Sequence, residues 1–173
     1  MSESAVPERF DNGTYMTKTE KYGDNFMSNE ATSADLLMKL YDLRREEKMR
    51  EARSWIISFF PESVEDIIKT MIDSETSAKF RMVTTYWDMA AGFVNRGAID
   101  EEMFFDSGNE AWVVFSKIQP FVEGVRQTIE NPKFLMNIET LLMRQPNALE
   151  TLAARRESMK RWMQARAEMA KTA

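Results

Sequence analysis

Apolar residues recur at steps of three and four along most of the chain from residue 33 onward, and no segment alternates apolar with polar residues. Steps of three and four place side chains on one face of an α-helix, whereas alternation is typical of a half-buried strand. The pattern predicts an all-α protein with a single compact helical domain of about five to six helices over residues 33–145. A basic amphipathic helix is predicted over residues 146–173. Residues 1–32 show neither period and are predicted to form an extended or disordered arm.

The first predicted helix begins at Ser33, a residue type that often caps helices, and continues to a stop at Pro61. Its apolar face carries Leu36, Leu37, Leu40, Tyr41 and Leu43. The stretch SVED, from Ser63 to Asp66, has the form of a capping box and predicts a short second helix. The residues expected to face inward from it are Ile67, Ile68, Met71 and Ile72.

A third helix is predicted from near Ser74 or Thr76 to a stop at Gly97. Glycine just past the last apolar turn is typical of the left-handed residue that ends a helix, because it has no Cβ to clash there. Later helices are predicted with an interruption near Pro120 and with Pro132 at a first helical position. The buried face of the third helix is expected to carry Phe80, Val83, Trp87, Ala90, Ala91 and Val94.

Acidic residues cluster directly after Gly97 and raise the question of a metal site. An EF-hand loop needs oxygen ligands at alternate positions and a glycine at the sixth position, but apolar residues follow here instead. The spacing places Asp100 at an N-cap with Glu101 and Glu102 in the first turn, where the helix dipole favours negative charge. We predict a helix start, with a cation site or an acidic docking patch as the alternatives. The cluster comprises Asp100, Glu101, Glu102, Asp106 and Glu110.

The composition narrows the chemistry that the chain can perform. Its 173 residues include no cysteine and no histidine. Thiolate nucleophiles, Cys-ligated zinc, Ser-His-Asp catalysis and the Glu-x-x-His di-iron pattern are therefore excluded. The acidic pairs that could still act in catalysis lack the spacing of a general acid and base; they are Glu65 with Asp66, Asp73 with Glu75, and Glu101 with Glu102. The sequence also contains no phosphate loop and no nucleophile elbow. We expect no enzymatic activity, no cofactor and no bound metal.

The N-terminal stretch suggests both a location and a contact role. It lacks the basic and apolar regions of a secretory signal, and the longest apolar run, SWIISFF, is far shorter than the roughly 18 residues of a membrane span. We therefore expect a cytoplasmic protein. Large apolar residues recur along the arm, which is unusual for a purely solvated linker. Tyr15, Tyr22 and Phe26 are predicted to contact either their own domain or a partner chain.

The charge of the chain is strongly polarised towards its C-terminal end. Residues 144–173 contain seven basic and three acidic residues, a net charge of +4, so residues 1–143 carry −9 of the total of −5. On the predicted helix, apolar residues gather on one side and arginines lie between and opposite them. The residues predicted to contact a partner are Arg155, Arg156, Met159, Arg161, Trp162 and Met163.

Three positions for this basic helix remain open. It packs on the acidic domain of its own or a neighbouring protomer, inserts as a Met-rich helix into a partner's groove, or lies on an anionic surface. A peripheral membrane contact belongs to the third alternative. Nucleic acid is not an expected partner, because a chain with a pI near 5.0 would be repelled beyond the basic helix.

Several segments together resemble a known family. They are REARSWI (Arg50 to Ile56), YWDMAAGFVNRGAIDEEMFF (Tyr86 to Phe105), WVVFSKIQPFV (Trp112 to Val122) and NPKFLMNIETLLMR (Asn131 to Arg144). From about Leu36 to Arg144 the chain resembles a bacterial family of small helical proteins catalogued only as a domain of unknown function. The resemblance implies a helical fold, and the family has no assigned activity or catalytic residues. Its members often have a membrane-spanning helix before the shared part, and the polar arm takes that place here.

These observations favour binding over chemistry. We expect a scaffold, accessory or regulatory subunit that holds a protein partner, or associates with itself, through the N-terminal arm and the C-terminal helix. The alternative is a small-molecule or lipid sensor. Its pocket would lie between helices around Trp87, Phe93, Phe104 and Trp112.

Overall fold

The computed structural model describes the backbone of residues 18–171 and the side chains of residues 30–171. All regular structure within this range is helical, which confirms the predicted all-α class. The α-helices are α1 (Lys18–Arg45), α2 (Glu47–Ser58), α3 (Val64–Ile72), α4 (Ser77–Asn95), α5 (Glu101–Asp106), α6 (Glu110–Ile118), α7 (Val122–Thr128), α8 (Met136–Met143) and α9 (Ala148–Lys171). A 3-10 turn over Gln119–Phe121 interrupts the chain between α6 and α7, as predicted near Pro120.

The first helix begins earlier than the sequence pattern indicated. Residues 18–32, predicted as part of an extended arm, form the first half of α1, while residues 1–17 lie outside the described residues. This segment contains no proline, and its single glycine, Gly23, costs a helix only about 1 kcal/mol. Ser33 is therefore not an N-cap. It is fully buried within α1, and its hydroxyl oxygen accepts a hydrogen bond at 3.0 Å from the backbone N–H of Asp100.

The single helix predicted from Ser33 to Pro61 is two helices. Glu46 leaves the helical conformation with a ψ of 140°, and its carboxylate accepts a hydrogen bond at 3.0 Å from the backbone N–H of Met49. Glu46 thus caps α2. Glutamate is not among the usual capping residues, so the sequence carried no marker for this break.

The predicted start of α3 is confirmed, but one of the four residues predicted to face inward is exposed. The hydroxyl of Ser63 accepts a hydrogen bond at 3.1 Å from the backbone N–H of Asp66. Ile67 is fully buried and Ile68 and Met71 are half-buried, whereas Ile72 is 78% exposed. Ile72 is the last residue of α3, and the backbone of Asp73 after it is extended, with a ψ of 132°. The inward placement predicted for Ile72 was therefore wrong.

The glycine stop and the acidic start predicted around Gly97 are both confirmed. Gly97 has a φ of +72°, and the N–H of Ala98 donates to the carbonyl of Phe93 at 2.9 Å, as in a left-handed helix C-terminus. The carboxylate of Asp100 accepts a hydrogen bond at 2.9 Å from the N–H of Met103 and so caps α5. The short Gly97 turn therefore fixes where α5 starts relative to the end of α4.

The start of α8 differs from the prediction. Pro132 was expected at a first helical position, but residues 131–135 form a turn and α8 begins at Met136. Leu135 has a left-handed φ of 52°, which breaks any helix that Pro132 would begin. The guanidinium of Arg126 holds this turn by donating to the carbonyl of Phe134 at 3.0 Å.

The core is built around α4, which packs against α2, α3 and α8. The six residues predicted for its buried face are all buried. The first turns of α9 pack on α6, and Leu152 is only 1% exposed, so the core extends past the predicted boundary at residue 145. Among the described residues no helix is long and apolar enough to cross a membrane.

Candidate protein interface

The proximal half of α9, residues 148–158, is fixed to the body of the protein. Arg155 donates to the side-chain oxygen of Asn109 at 3.2 Å and lies over the ring of Trp112, 5.7 Å from its centroid. Its neighbour Arg156 donates to the carbonyls of Lys117 at 2.8 Å and Pro61 at 2.5 Å. Both arginines, predicted to contact a partner, therefore engage their own domain in this structure.

Arg156 also lies between two aromatic rings. Its guanidinium is 4.3 Å from the centroid of Phe60 and 5.2 Å from that of Phe121. Burial lowers the pKa of Arg156. A guanidinium that both stacks on rings and donates to carbonyls fixes the direction in which α9 leaves the body.

Lys117 supports the same junction and was not identified from the sequence. Its ammonium is buried and donates to the carbonyls of Ile56 at 2.6 Å, Ile57 at 2.7 Å and Phe59 at 3.0 Å. These carbonyls end α2, where the helix dipole favours a positive charge. Burial, the larger effect, and the nearby charge of Arg156 together lower the pKa of Lys117 to about 8. A lysine whose three N–H groups are all bonded acts here as a helix cap.

The distal half of α9, residues 159–171, is exposed along nearly its whole length. Trp162 and Met169 are each 72% exposed, Arg161 is exposed, and Met159 and Met163 are half-buried. The basic residues of this half outnumber its single acid, Glu168, by three. A Trp, several Met and basic residues on an accessible helix are residue types that recur where proteins bind one another.

An open apolar groove of about 570 Å³ runs along this distal half. Ile57 of α2, 46% exposed, contributes its lining from outside α9. The lining residues are Ile57, Met159, Trp162, Met163, Ala165, Arg166 and Met169. Three lining residues of α9, namely Ala165, Arg166 and Met169, were not among the predicted contact residues, although their helical spacing from Trp162 indicates them. Ile57 has no local signal in the sequence.

The N-terminal residues predicted to contact a partner are only partly covered. Tyr15 lies outside the described residues. Tyr22 and Phe26 fall in the helical backbone of α1, but their side chains lie outside the described part of the chain. Of the predicted contact residues, those on α9 are the ones that the structure describes in full.

The aromatic residues predicted to line a ligand pocket do not form one together. Trp87, Phe104 and Trp112 are buried in the core, whereas Phe93 points outward and is partly exposed. A cavity of about 30 Å³ lies beside Trp87 and Phe104, next to Arg44 and Tyr86. That volume suits a water molecule or two, while sites for small molecules have volumes of several hundred Å³.

The acidic cluster is divided among separate structural roles. Asp100 caps α5, and Glu101 pairs with Arg144 at 2.7 Å across to the end of α8. Glu110 accepts from Arg44 at 2.7 Å and from Arg53 at 2.5 Å. Among the side chains of residues 30–171, no group of three acidic residues lies close enough to hold a metal ion.

The Glu110 carboxylate links three helices. Burial, the largest single effect, raises its pKa, but the hydrogen bonds and charges of Arg53 and Arg44 together outweigh burial, and the net pKa is lowered. Glu110 is therefore ionised near neutral pH. The two arginines come from α1 and α2, so one carboxylate of α6 holds both of these helices.

The fold and the exposed face of α9 define a small all-α protein with a candidate surface for protein contact. A family model described as Domain of unknown function (DUF4760) matches residues 30–145. Because the match spans more than half of the chain, the protein belongs to this family, and the resemblance noted from about Leu36 to Arg144 is confirmed. A search of the curated proteins and a search of the solved structures each found no match. The candidate surface on α9 lies beyond the matched residues.

Proposed function

We propose that this protein is a non-catalytic binding protein, an accessory or regulatory subunit of the cytoplasm that holds a protein partner. The contact surface is the groove along the distal half of α9, and residues 1–32 form a second contact element. The observation that carries the proposal is the 72% exposure of both Trp162 and Met169 on a helix whose base is fixed.

The division of α9 supports this role. Leu152 and Arg156 anchor the proximal half, so the distal half is held in one direction before any partner arrives. A surface that is ordered in advance loses less conformational entropy on binding than a flexible tail does. Exposed Trp and Met side chains gain most from being covered, because they have large apolar areas.

A photo-reactive amino acid at position 162 tests the proposal in cells of the source organism. Benzoylphenylalanine in place of Trp162 keeps an aromatic group in the groove, and the matched control places it at Gln164, which is exposed on the opposite side of α9. We expect a discrete crosslinked protein species from position 162 only. Its yield should fall when Met163→Asp adds a charge beside the groove. Equal labelling from positions 162 and 164, or no protein adduct from either, would contradict the proposal.

A further inference from the structure

We propose that a second copy of this chain occupies the α9 groove, its distal half lying antiparallel to the first. The two-fold axis crosses the groove face at the height of residue 164 along the helix. The inference rests on the proposed function, since it names the partner that binds the same surface. It is motivated by the order of the side chains that line the groove.

Four groove residues have the spacing of a coiled-coil seam. Met159, Trp162, Arg166 and Met169 follow one another at steps of three, four and three, and all four line the same groove. Helices pair along such a seam because each side chain inserts between residues of the facing helix. The distal half therefore presents a seam of four residues, two before and two after position 164. We call these four residues the seam.

The seam is complementary to itself only in the antiparallel direction. Pairing centred at the height of residue 164 sets Met159 against the partner's Met169 and Trp162 against the partner's Arg166, and the two-fold axis repeats both contacts. A guanidinium over an indole ring is the favoured cation–π pair. Parallel pairing would instead set Arg166 against the partner's Arg166, two like charges in a partly desolvated seam, which is unfavourable.

The residues that flank the seam permit close approach. Ala165 lies at one edge of the seam and meets the partner's Ala165, so no bulky group keeps the helices apart there. The charged residues lie further out, and those at the same height on the two helices are opposite in sign: Lys160 is level with the partner's Glu168 and Glu157 with the partner's Lys171. Such exposed pairs add little affinity. They do show that this register opposes no like charges.

Ile57 adds a contact beyond α9 itself. It lines the groove together with Met159, so the partner's Met169, placed against Met159, also reaches Ile57. The groove is concave for this reason and fits a helix. A flat bilayer would leave Arg166, at the middle of the apolar face, against lipid, which is costly.

Sedimentation of the full chain over a concentration series tests the pairing. We expect a reversible dimer that is weakened about tenfold or more by Trp162→Ala and by Arg166→Glu. The control Gln164→Ala, at an exposed position on the side of α9 away from the groove, should leave dimerisation unchanged. All these positions are exposed, and circular dichroism confirms that each variant remains folded.

Exchanging the two seam residues gives the sharpest comparison. The double variant Trp162→Arg with Arg166→Trp still places an arginine against each tryptophan in the antiparallel register, so dimerisation should return to within a few-fold of the original chain. A dimer unaffected by Trp162→Ala and Arg166→Glu, or a double variant weaker than both single changes, would overturn the inference.

Engineered thiols locate the two-fold axis. The chain contains no cysteine, so Ala165→Cys introduces one thiol next to its symmetry mate, and a short bismaleimide should crosslink it. The control Ala167→Cys, on the outer side of α9, should crosslink far less. Equal crosslinking at 165 and 167 would reject the register.

Two results separate this inference from the proposed function. A chain that stays monomeric at every concentration, while position 162 still captures a different protein, would overturn the second copy and leave the proposed function standing. A monomeric chain that co-sediments with phosphatidylglycerol vesicles through Trp162, with no protein adduct, would overturn both.

Discussion

Single charged residues connect parts of the chain that are far apart in sequence. Lys117 ends α2 through three carbonyls about 60 residues earlier in the chain. Asp88 of α4 accepts from the N–H of Ile138 at 3.0 Å and from the side chain of Asn137 at 2.9 Å, and so caps α8. Each supplies a charge where unpaired helix-end groups and the helix dipole call for it. These two residues fix the positions of helices that lack complete caps of their own.

The stability of the protein should rise with pH between about 8 and 10 because of Lys117. Burial lowers the pKa of Lys117 to about 8, against about 10.5 in the unfolded chain. Across this interval the unfolded chain holds the proton that the folded chain has released, so the free energy of unfolding increases with pH. Urea unfolding at several pH values measures the slope.

Two variants check that assignment. Lys117→Met should lower stability at neutral pH and remove the rise between pH 8 and 10. Burial raises the pKa of Tyr86 to about 12, so Tyr86 lowers stability only above about pH 10, and Tyr86→Phe should leave the rise in place. An unchanged slope in Lys117→Met would show that another group titrates.

Gly97→Ala should destabilise the fold by about 1 kcal/mol. At a φ of +72° an alanine is strained, and a Cβ at this site meets no atom within 4 Å, so the cost comes from the backbone alone. Gly97→Asn should recover much of the loss, because asparagine tolerates the left-handed conformation. Equal unfolding midpoints in urea for glycine and alanine would contradict this account.

At the residue scale, the sequence predicted the groups that act on their near neighbours. Ser63, Gly97 and Asp100 each work within five residues, so their types and spacing were sufficient. Lys117 and Asp88 act across 49 or more residues, and their partners are mostly main-chain groups. A main-chain partner leaves no mark in the sequence, which is why these caps went unrecognised.

At the scale of elements, the arrangement of α1 and α2 depends on one carboxylate. The bend at Glu46 lets Arg44 at the end of α1 and Arg53 in α2 reach the same Glu110 of α6. The sequence predicted the helical character of this region correctly but not the bend. A continuous helical pattern does not reveal a bend that a distant side chain stabilises. The prediction of an extended arm over residues 18–32 was wrong for a similar reason. A segment with weak apolar periodicity can still be helical when it continues directly into a helix that packs on the core.

Glu110→Gln should lower the free energy of unfolding by about 2 to 3 kcal/mol, below the 3 to 5 kcal/mol of a fully buried pair because this cluster is partly exposed. It leaves Arg44 and Arg53 without a counter-charge. Since the folded pKa of Glu110 is lowered, its stabilisation is present at neutral pH and lost as acid protonates it.

The variant should therefore differ most from the original chain near pH 7 and converge with it in acid. Thermal unfolding from pH 7 down to pH 3 measures this, with Glu102→Gln, an exposed acid of α5, as the control. A constant difference across this range would mean that charge is not what Glu110 contributes.

At the scale of the whole molecule, the basic end of the chain forms α9, and this helix is divided into a packed half and an exposed half. The sequence correctly predicted a basic C-terminal helix, observed over Ala148–Lys171, and left open whether it packs on its own domain. The structure places its proximal half on the body and its distal half outside it. The apolar periodicity could not distinguish the two halves, because the same apolar face continues through both. Where α9 stops being packed depends on how far the rest of the domain extends beside it.

Two truncations test this division. A chain ending at Ser158 keeps Leu152 and Arg156 and should unfold in urea close to the full-length midpoint. A chain ending at Gln145 loses the burial of Leu152 and the carbonyl contacts of Arg156, which should lower the free energy of unfolding by about 2 to 5 kcal/mol, the range for removing a large buried side chain. Removal of residues 159–173 leaves the body intact but removes the groove. The Ser158 truncation should therefore abolish contact through the groove without loss of stability. Equal stability of both truncated chains would show that the proximal half of α9 is not part of the folded core.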